Sequence, residues 1–190
     1  SIIDLTQNAH QPFLSNDKNF IITFNGEIYN FKEIRKYLEG YGYKFISQTD
    51  TEVILAAYDY WKDKCFEKFN GMWAFALLDK KKNQIKICRD RYGVKPCYIT
   101  KIKNRIIFSS EIKGVLASNQ NFELNPSLAF NLNDVVREKY FKTIFSEINI
   151  VEPGHCYSID IETLEINKKR WWFGLNNIPN ISSNKKIIKE

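Results

Sequence analysis

The segment of the chain that decides the fold is residues 20–30, which reads Phe-Ile-Ile-Thr-Phe-Asn-Gly-Glu-Ile-Tyr-Asn. Its first half is rich in β-branched and aromatic residues and predicts a strand at residues 19–24. The Asn25-Gly26 pair that follows is a strong hairpin signal and predicts a tight turn in which Gly26 takes a positive φ. Two interpretations of this turn are open. It is a plain hairpin with a solvated Glu27, or it joins the Asn25 carboxamide, the Gly26 N–H and the Glu27 carboxylate in a site for an oxyanion and an ammonium group.

The residues after this segment show helical and extended patterns in turn. Apolar residues recur with the helical period over residues 31–38, and Gly40 followed by Gly42 ends that helix. Residues 43–46 alternate as a short strand. A second helix begins at Thr49 or Asp50, either of which can cap its first N–H groups. On this pattern alone Asp50 is a helix cap.

A long apolar run at residues 69–79 predicts a strand that is buried on both faces. Further strands are predicted at residues 84–88, 97–100, 105–109, 148–151, 156–161 and 165–172, with helices at residues 111–117 and 126–140. Antiparallel hairpins with helices grouped between them predict an α+β layered domain and not an alternating βαβ sheet. The chain has no Gly-rich phosphate loop, so we do not expect it to bind a nucleotide by itself.

Composition narrows the class of protein. With 190 residues, 44% of them hydrophobic, the chain suits one domain with a full core. The net charge of +6 comes from lysines scattered over turns and the tail, which argues against a nucleic-acid-binding protein. No apolar run approaches the roughly 20 residues that span a bilayer, and the start does not look like a signal peptide, so we expect a cytoplasmic protein. The four cysteines (Cys65, Cys88, Cys97 and Cys156) have no metal-binding spacing and are expected to be reduced and mostly buried.

Five motifs stand in a fixed order along the chain, and together they resemble a known family. They are Phe24-Asn25-Gly26-Glu27-Ile28-Tyr29-Asn30, Thr49-Asp50-Thr51-Glu52-Val53-Ile54, Phe69-Asn70-Gly71-Met72-Trp73-Ala74-Phe75-Ala76, Arg89-Asp90-Arg91-Tyr92-Gly93-Val94-Lys95-Pro96 and Ser109-Ser110-Glu111-Ile112-Lys113. This order resembles the glutaminase domain of glutamine-hydrolysing asparagine synthetases. The wider group is the class II glutamine amidotransferases, which are N-terminal-nucleophile hydrolases. The resemblance covers about residues 1–172.

The resemblance implies two stacked antiparallel sheets between helical layers, the αββα sandwich, and a mechanism. In this family an N-terminal Cys attacks the side-chain amide of L-glutamine, and ammonia leaves as a thioester forms. By similarity, Asn25 and Gly26 form the oxyanion hole, while Glu27 and Asp50 hold the α-ammonium group of glutamine. Ile2 and Ile3 match positions that line the glutamine pocket largely through backbone atoms.

The chain departs from the family pattern at its first residue, which is Ser1. The resemblance places Ser1 after the nucleophilic Cys and after the Arg that receives the substrate carboxylate, so we expect this chain alone not to hydrolyse glutamine. Residues 173–190 are expected to be a linker to a synthetase domain in cis. That domain would bind ATP and Mg²⁺ and amidate aspartate, and the full-length protein is a possible homodimer.

Two functional alternatives and one structural question stay open. Other class II amidotransferases deliver ammonia to sugars or sugar phosphates with a similar glutaminase domain. A catalytically inactive binding or scaffold module would keep the fold without a nucleophile. The Arg89-Asp90-Arg91 cluster is either a structural ion-pair network or part of an interface with the synthetase domain.

Overall fold

Two antiparallel sheets form the framework of the chain in the computed structural model, which describes residues 10–118, 121–125 and 143–174. The larger sheet has the spatial order β1 (Phe13–Leu14), β2 (Phe20–Ile28), β3 (Gly71–Asp79), β4 (Gln84–Arg89), β8 (His155–Asp160) and β9 (Ile166–Arg170). The smaller sheet has the order β6 (Arg105–Ser109), β5 (Tyr98–Ile102) and β7 (Asn149–Ile150).

Helices cover one face of the larger sheet. They are α1 (Phe31–Glu39) and α2 (Asp50–Trp61), and a 3₁₀ helix follows at Lys62–Lys68. Their apolar side chains join those of β2 and β3 in a core that includes Ile34, Leu38, Ile54 and Phe75. Thr49 caps α2, because its Oγ1 accepts a hydrogen bond of 3.2 Å from the Glu52 N–H.

The other face of the larger sheet packs against the smaller sheet. Ala74 and Ala76 of β3 contribute small side chains to this second core, where Ile87, Ile99 and Tyr157 are also buried. A short helix, α3 (Ile112–Leu116), contacts β5 and β6. The helix layer and two stacked antiparallel sheets confirm the predicted α+β layered class.

Most of the predicted elements are confirmed, including the buried strand β3, the β3–β4 and β5–β6 hairpins and helix α1. The predicted strand at residues 43–46 is wrong. The Glu52 carboxylate accepts hydrogen bonds from the backbone N–H groups of Ile46 and Ser47, at 2.9 and 2.7 Å. These N–H groups therefore bond to a side chain instead of a neighbouring strand. The predicted helix at residues 126–140 lies outside the described residues, as do Ile2 and Ile3.

The predicted Asn25-Gly26 hairpin turn is also wrong, because β2 continues to Ile28 and pairs with β3 along its whole length. Gly26 does have a positive φ, of 151°. A Cβ on Gly26 would lie 2.2 Å from the Met72 carbonyl oxygen, and one on Gly71 would lie 2.0 Å from the Glu27 carbonyl oxygen. The glycines therefore allow two strands to approach closely and do not turn the chain.

The Arg89-Asp90-Arg91 cluster is structural, but not through the expected ion pairs. The Arg89 guanidinium donates to the carbonyl oxygens of Gly93, Lys95 and Val151 at 2.6–2.8 Å. Arg91 likewise donates to backbone carbonyls. Within the described ranges, neither arginine forms an ion pair with Asp90. The cluster shapes the backbone by satisfying its buried polar groups.

Two expectations from composition concern burial and membranes. All four cysteines are buried and none is in a disulfide, which confirms their expected state. In the parts of the chain that the structure describes, no helix is long and apolar enough to cross a bilayer.

Candidate functional site

The candidate site lies along the edge of β2 that faces away from β3. The Trp73 N–H and C=O both bond to Asp90, the N–H to Oδ2 at 3.1 Å and the C=O to the Asp90 N–H at 2.8 Å. Trp73 is the β3 residue opposite Gly26, so its polar backbone groups point away from Gly26. Because antiparallel pairs alternate between bonded and non-bonded, the Gly26 N–H faces the open edge of the sheet.

The neighbours of Gly26 on that edge all have partners. Ile22 pairs with β1, the Phe24 N–H and C=O bond to the Gln11 side chain, and the Ile28 N–H donates to Asp50 Oδ2 at 3.0 Å. No described residue accepts a hydrogen bond from the Gly26 N–H. The site therefore offers one backbone donor at the position that the sequence assigned to an oxyanion hole.

Asn25 lines a cavity of about 250 Å³ between the two sheets. The wall comes from β2, β3 and β6, and its polar members include Thr23, Ser109 and Ser110. Asn25 is exposed, and its carboxamide makes no hydrogen bond with any described residue. Among the described residues, a side-chain donor without an acceptor thus stands beside the Gly26 N–H, which also has none.

Glu27 and Asp50 supply negative charge next to these donors. Asp50 is only 5% exposed, and this burial raises the pKa of its carboxyl, to which the Glu27 charge adds. The N–H groups of Ile28 and Thr51 oppose that shift by stabilising the charged form. No described Lys, Arg or His forms an ion pair with either carboxylate. Two acidic groups that have no cationic partner in the described part of the chain suit a ligand that carries a positive charge.

The structure thus brings Asn25, Gly26 and Glu27 together on β2 and joins Asp50 to them through Ile28. The cavity at Asn25 is not lined by Glu27 or Asp50. A larger cavity, of about 410 Å³, lies on the helical side between Phe20, Tyr43 and Leu55 and contains no predicted site residue. The β2 edge is the better candidate because it carries two hydrogen-bond donors that have no described acceptor, next to two carboxylates that have no described basic partner.

Sequence reasoning missed Gln11, which contacts the site through Phe24. Gln11 lies in a polar stretch that predicts only a loop, and nothing in its pattern signals a contact with residue 24. Sequence reasoning also treated Asp90 only as a member of the Arg89-Asp90-Arg91 cluster. The contact between Asp90 and Trp73 depends on the pairing of β3, which a local pattern does not contain.

The described cysteines do not fit the role of nucleophile. Burial raises the pKa of the Cys97 thiol to about 11, although the Arg89 charge partly opposes this shift. Burial also raises the pKa of Cys65 and Cys88 well above their usual range. A protonated, buried thiol is a poor nucleophile. Over the described ranges, no group of three or more His, Cys, Asp or Glu residues could hold a metal ion.

Comparison with known proteins gives concordant results. A family model described as a glutamine amidotransferase domain matches residues 1–172. Glutamine-hydrolyzing asparagine synthetase 1 of Bacillus subtilis is 34% identical over 100% of this chain and 30% of its own length. A putative glutamine-hydrolyzing asparagine synthetase 2 of Methanocaldococcus jannaschii is 36% identical over 100% of this chain and 39% of its own length. The chain therefore spans well under half of these relatives.

A solved structure supports the fold assignment. Glutamine phosphoribosylpyrophosphate amidotransferase from B. subtilis matches with a TM-score of 0.63 at 19% identity, over 88% of this chain and 33% of that chain. At this identity the likeness concerns the fold alone, and it agrees with the expected N-terminal-nucleophile-hydrolase-like sandwich. The match over residues 1–172 and the asparagine synthetase relatives show that the chain belongs to the glutamine amidotransferase domain family.

Proposed function

We propose that this chain is the glutamine-binding and ammonia-releasing domain of a longer asparagine synthetase. The observation that carries the proposal is the pair of carboxylates, Glu27 and Asp50, without a basic partner among the described residues. An α-ammonium group is the cation that glutamine would supply. Hydrogen bonds between an ammonium group and a carboxylate are about twice as strong as those between neutral groups.

The reaction proposed for the full-length protein is the hydrolysis of L-glutamine to L-glutamate and ammonia. As a nucleophile attacks the side-chain amide, negative charge develops on its oxygen. The Asn25 carboxamide and the Gly26 N–H would donate hydrogen bonds to that oxygen. Removing one such donor typically lowers the rate by about a hundredfold to a thousandfold. Ile2 and Ile3 are proposed to line the glutamine pocket.

The test is ammonia release from L-glutamine by the full-length gene product, with Asn25→Ala and Asn16→Ala compared. Asn16 is an exposed amide whose side chain bonds the Lys44 carbonyl oxygen at 3.3 Å, away from the site. We expect Asn25→Ala to lower kcat by about a hundredfold or more with little change in KM, and Asn16→Ala to leave both unchanged. No glutamine-dependent ammonia release by the unsubstituted protein would overturn the proposal.

We also propose that the 190-residue chain alone does not hydrolyse glutamine. The high thiol pKa values of Cys65, Cys88 and Cys97 support this, because none of these thiols would be ionised at neutral pH. The same ammonia assay tests it, and release by the 190-residue chain would contradict it.

The acceptor of the ammonia is a separate proposal. The two relatives from B. subtilis and M. jannaschii are named as asparagine synthetases, so we propose aspartate as acceptor, with ATP and Mg²⁺ bound by a part of the protein outside these residues. Formation of asparagine from aspartate, ATP and glutamine tests it. Ammonia release without asparagine formation would favour another acceptor, such as a sugar phosphate.

The four free thiols fit a cytoplasmic setting, which fractionation of cells would test.

A further inference from the structure

The Gln11 side chain takes the place of a strand residue at the edge of β2. Its Oε1 accepts a hydrogen bond of 2.6 Å from the Phe24 N–H, and its Nε2 donates one of 3.0 Å to the Phe24 carbonyl oxygen. A residue of a neighbouring antiparallel strand would make the same two bonds with its backbone.

The register of β1 shows which backbone pair the Gln11 side chain replaces. Phe13 pairs with Ile22, so continuation of the ladder would bring Gln11 opposite Phe24. Pro12 stands between Gln11 and β1, and the backbone ladder between β1 and β2 begins at Phe13. The carboxamide of Gln11 replaces the missing backbone pair, and only one orientation of the amide satisfies both a donor and an acceptor on Phe24.

The bond to the Phe24 carbonyl oxygen acts on the next residue directly. That oxygen belongs to the planar peptide group that also contains the Asn25 nitrogen. Holding it fixes the plane from which Asn25 and then Gly26 extend. Gln11 and Asn25 also line the same cavity of about 250 Å³.

We propose that Gln11 is a positioning residue for the oxyanion site, acting through the Phe24–Asn25 peptide on the Asn25 carboxamide and the Gly26 N–H. The inference rests on the proposed function in that the reaction to be accelerated is glutamine hydrolysis. Gln11 is exposed, so its replacement leaves no cavity in the core, and its contribution is geometrical.

The experiment compares Gln11→Ala, Gln11→Glu and the control Asn16→Ala in the full-length gene product. Gln11→Ala removes both bonds to Phe24. Gln11→Glu keeps an acceptor for the Phe24 N–H but places a carboxylate oxygen against the Phe24 carbonyl. Asn16→Ala removes an exposed amide that bonds the backbone of Lys44 and not that of β2.

Two measurements separate positioning from a general structural role. Hydrogen–deuterium exchange of peptides covering residues 20–28 reports on the edge of β2, and steady-state kinetics report kcat and KM for glutamine. We expect Gln11→Ala to speed exchange of the Phe24 amide and to lower kcat by about tenfold or more with KM within about twofold. We expect Gln11→Glu to lower kcat while the Phe24 amide stays protected, and Asn16→Ala to change neither.

The proposal is overturned if Gln11→Ala leaves kcat unchanged, or if exchange over residues 20–28 is unaffected. It is also overturned if kcat falls only in proportion to the fraction of unfolded protein. If the unsubstituted protein releases no ammonia, the proposed function fails separately. The exchange result then still decides whether Gln11 holds the Phe24–Asn25 peptide.

Discussion

The Asp50 carboxylate at the start of α2 accepts a hydrogen bond of 3.0 Å from the Ile28 backbone N–H at the end of β2. This bond joins the helix layer to the edge of the sheet, two residues beyond Gly26. Thr49 is the residue that caps α2 with its side chain, so Asp50 is available for a different task. Its carboxylate stays buried beside Glu27 although no described cation pairs with it.

Asp50→Asn should weaken glutamine binding without lowering stability. The amide oxygen of Asn can still accept the hydrogen bond from Ile28, but the negative charge is lost. A hydrogen bond to a charged group contributes about 1.5–3 kcal/mol, so we expect KM for glutamine to rise by about tenfold to a hundredfold. Steady-state kinetics and thermal unfolding of the full-length product check this. The control is Glu33→Gln, an exposed carboxylate on α1, and an unchanged KM in Asp50→Asn would refute the ammonium role.

Gly26→Ala should destabilise the domain by forcing β2 and β3 apart. The new methyl group would lie 2.2 Å from the Met72 carbonyl oxygen and 2.6 Å from the Trp73 Cα, at a φ of 151°. Overpacking and backbone strain together should cost about 3 kcal/mol. Gly42→Ala is the matched control, because Gly42 also has a positive φ, of 89°, but has nothing within 4 Å of a Cβ. Chemical denaturation measures both, and equal costs would show that steric contact with β3 is not the cause.

The predicted turn and the observed strand at Gly26 differ because the local sequence does not contain the pairing of β2 with β3. Strand β3, helix α1 and the Thr49 cap follow from periodicity and capping chemistry, which depend on neighbours in sequence. The extended backbone at Asn25-Gly26 depends instead on pairing with β3, where Trp73 lies opposite Gly26. The candidate site residues were predicted from the order of motifs, while Gln11 and Asp90 act through contacts that only the folded sheet creates.

Asp90→Ala should lower the free energy of unfolding by more than the removal of an exposed carboxylate does. Asp90 is 1% exposed, and its carboxylate accepts hydrogen bonds from the N–H groups of Trp73, Tyr92, Val94 and Lys95. Leaving such buried donors unsatisfied should cost about 3 kcal/mol or more. The control is Glu33→Ala, which removes an exposed carboxylate on α1 and has an expected loss within about 1 kcal/mol. Similar losses in the two variants by urea denaturation would contradict the role assigned to Asp90.

The four thiols should be unreactive in the folded chain. Burial raises the pKa of Cys97 to about 11 and those of Cys65 and Cys88 well above their usual range, and Cys156 is also buried. A thiol reagent at about pH 8 should therefore label little in native buffer and all four cysteines in denaturant. Mass spectrometry counts the labels. Rapid labelling of any of the four in native buffer would show that the core opens at that position.

The Asp50 carboxyl should make the domain less stable as pH rises. A carboxylate in an ion pair has the opposite effect. Burial and the Glu27 charge raise the pKa of Asp50 in the folded state above the 3.8 of a free side chain. Between these two pKa values the folded state binds more protons than the unfolded state, so the contribution of Asp50 to the free energy of unfolding falls as pH rises. Asp50→Asn removes this contribution. We therefore expect the unfolding free energy of Asp50→Asn, relative to the unsubstituted protein, to increase from about pH 3.5 to about pH 7 in denaturant titrations. A difference that stays constant over this range, or decreases, would mean that the pKa of Asp50 is not raised on folding. A bound ammonium group should oppose this loss of stability at higher pH, because it stabilises the ionised carboxylate of Asp50. At about pH 7, added glutamine should therefore raise the free energy of unfolding of the unsubstituted protein by more than that of Asp50→Asn.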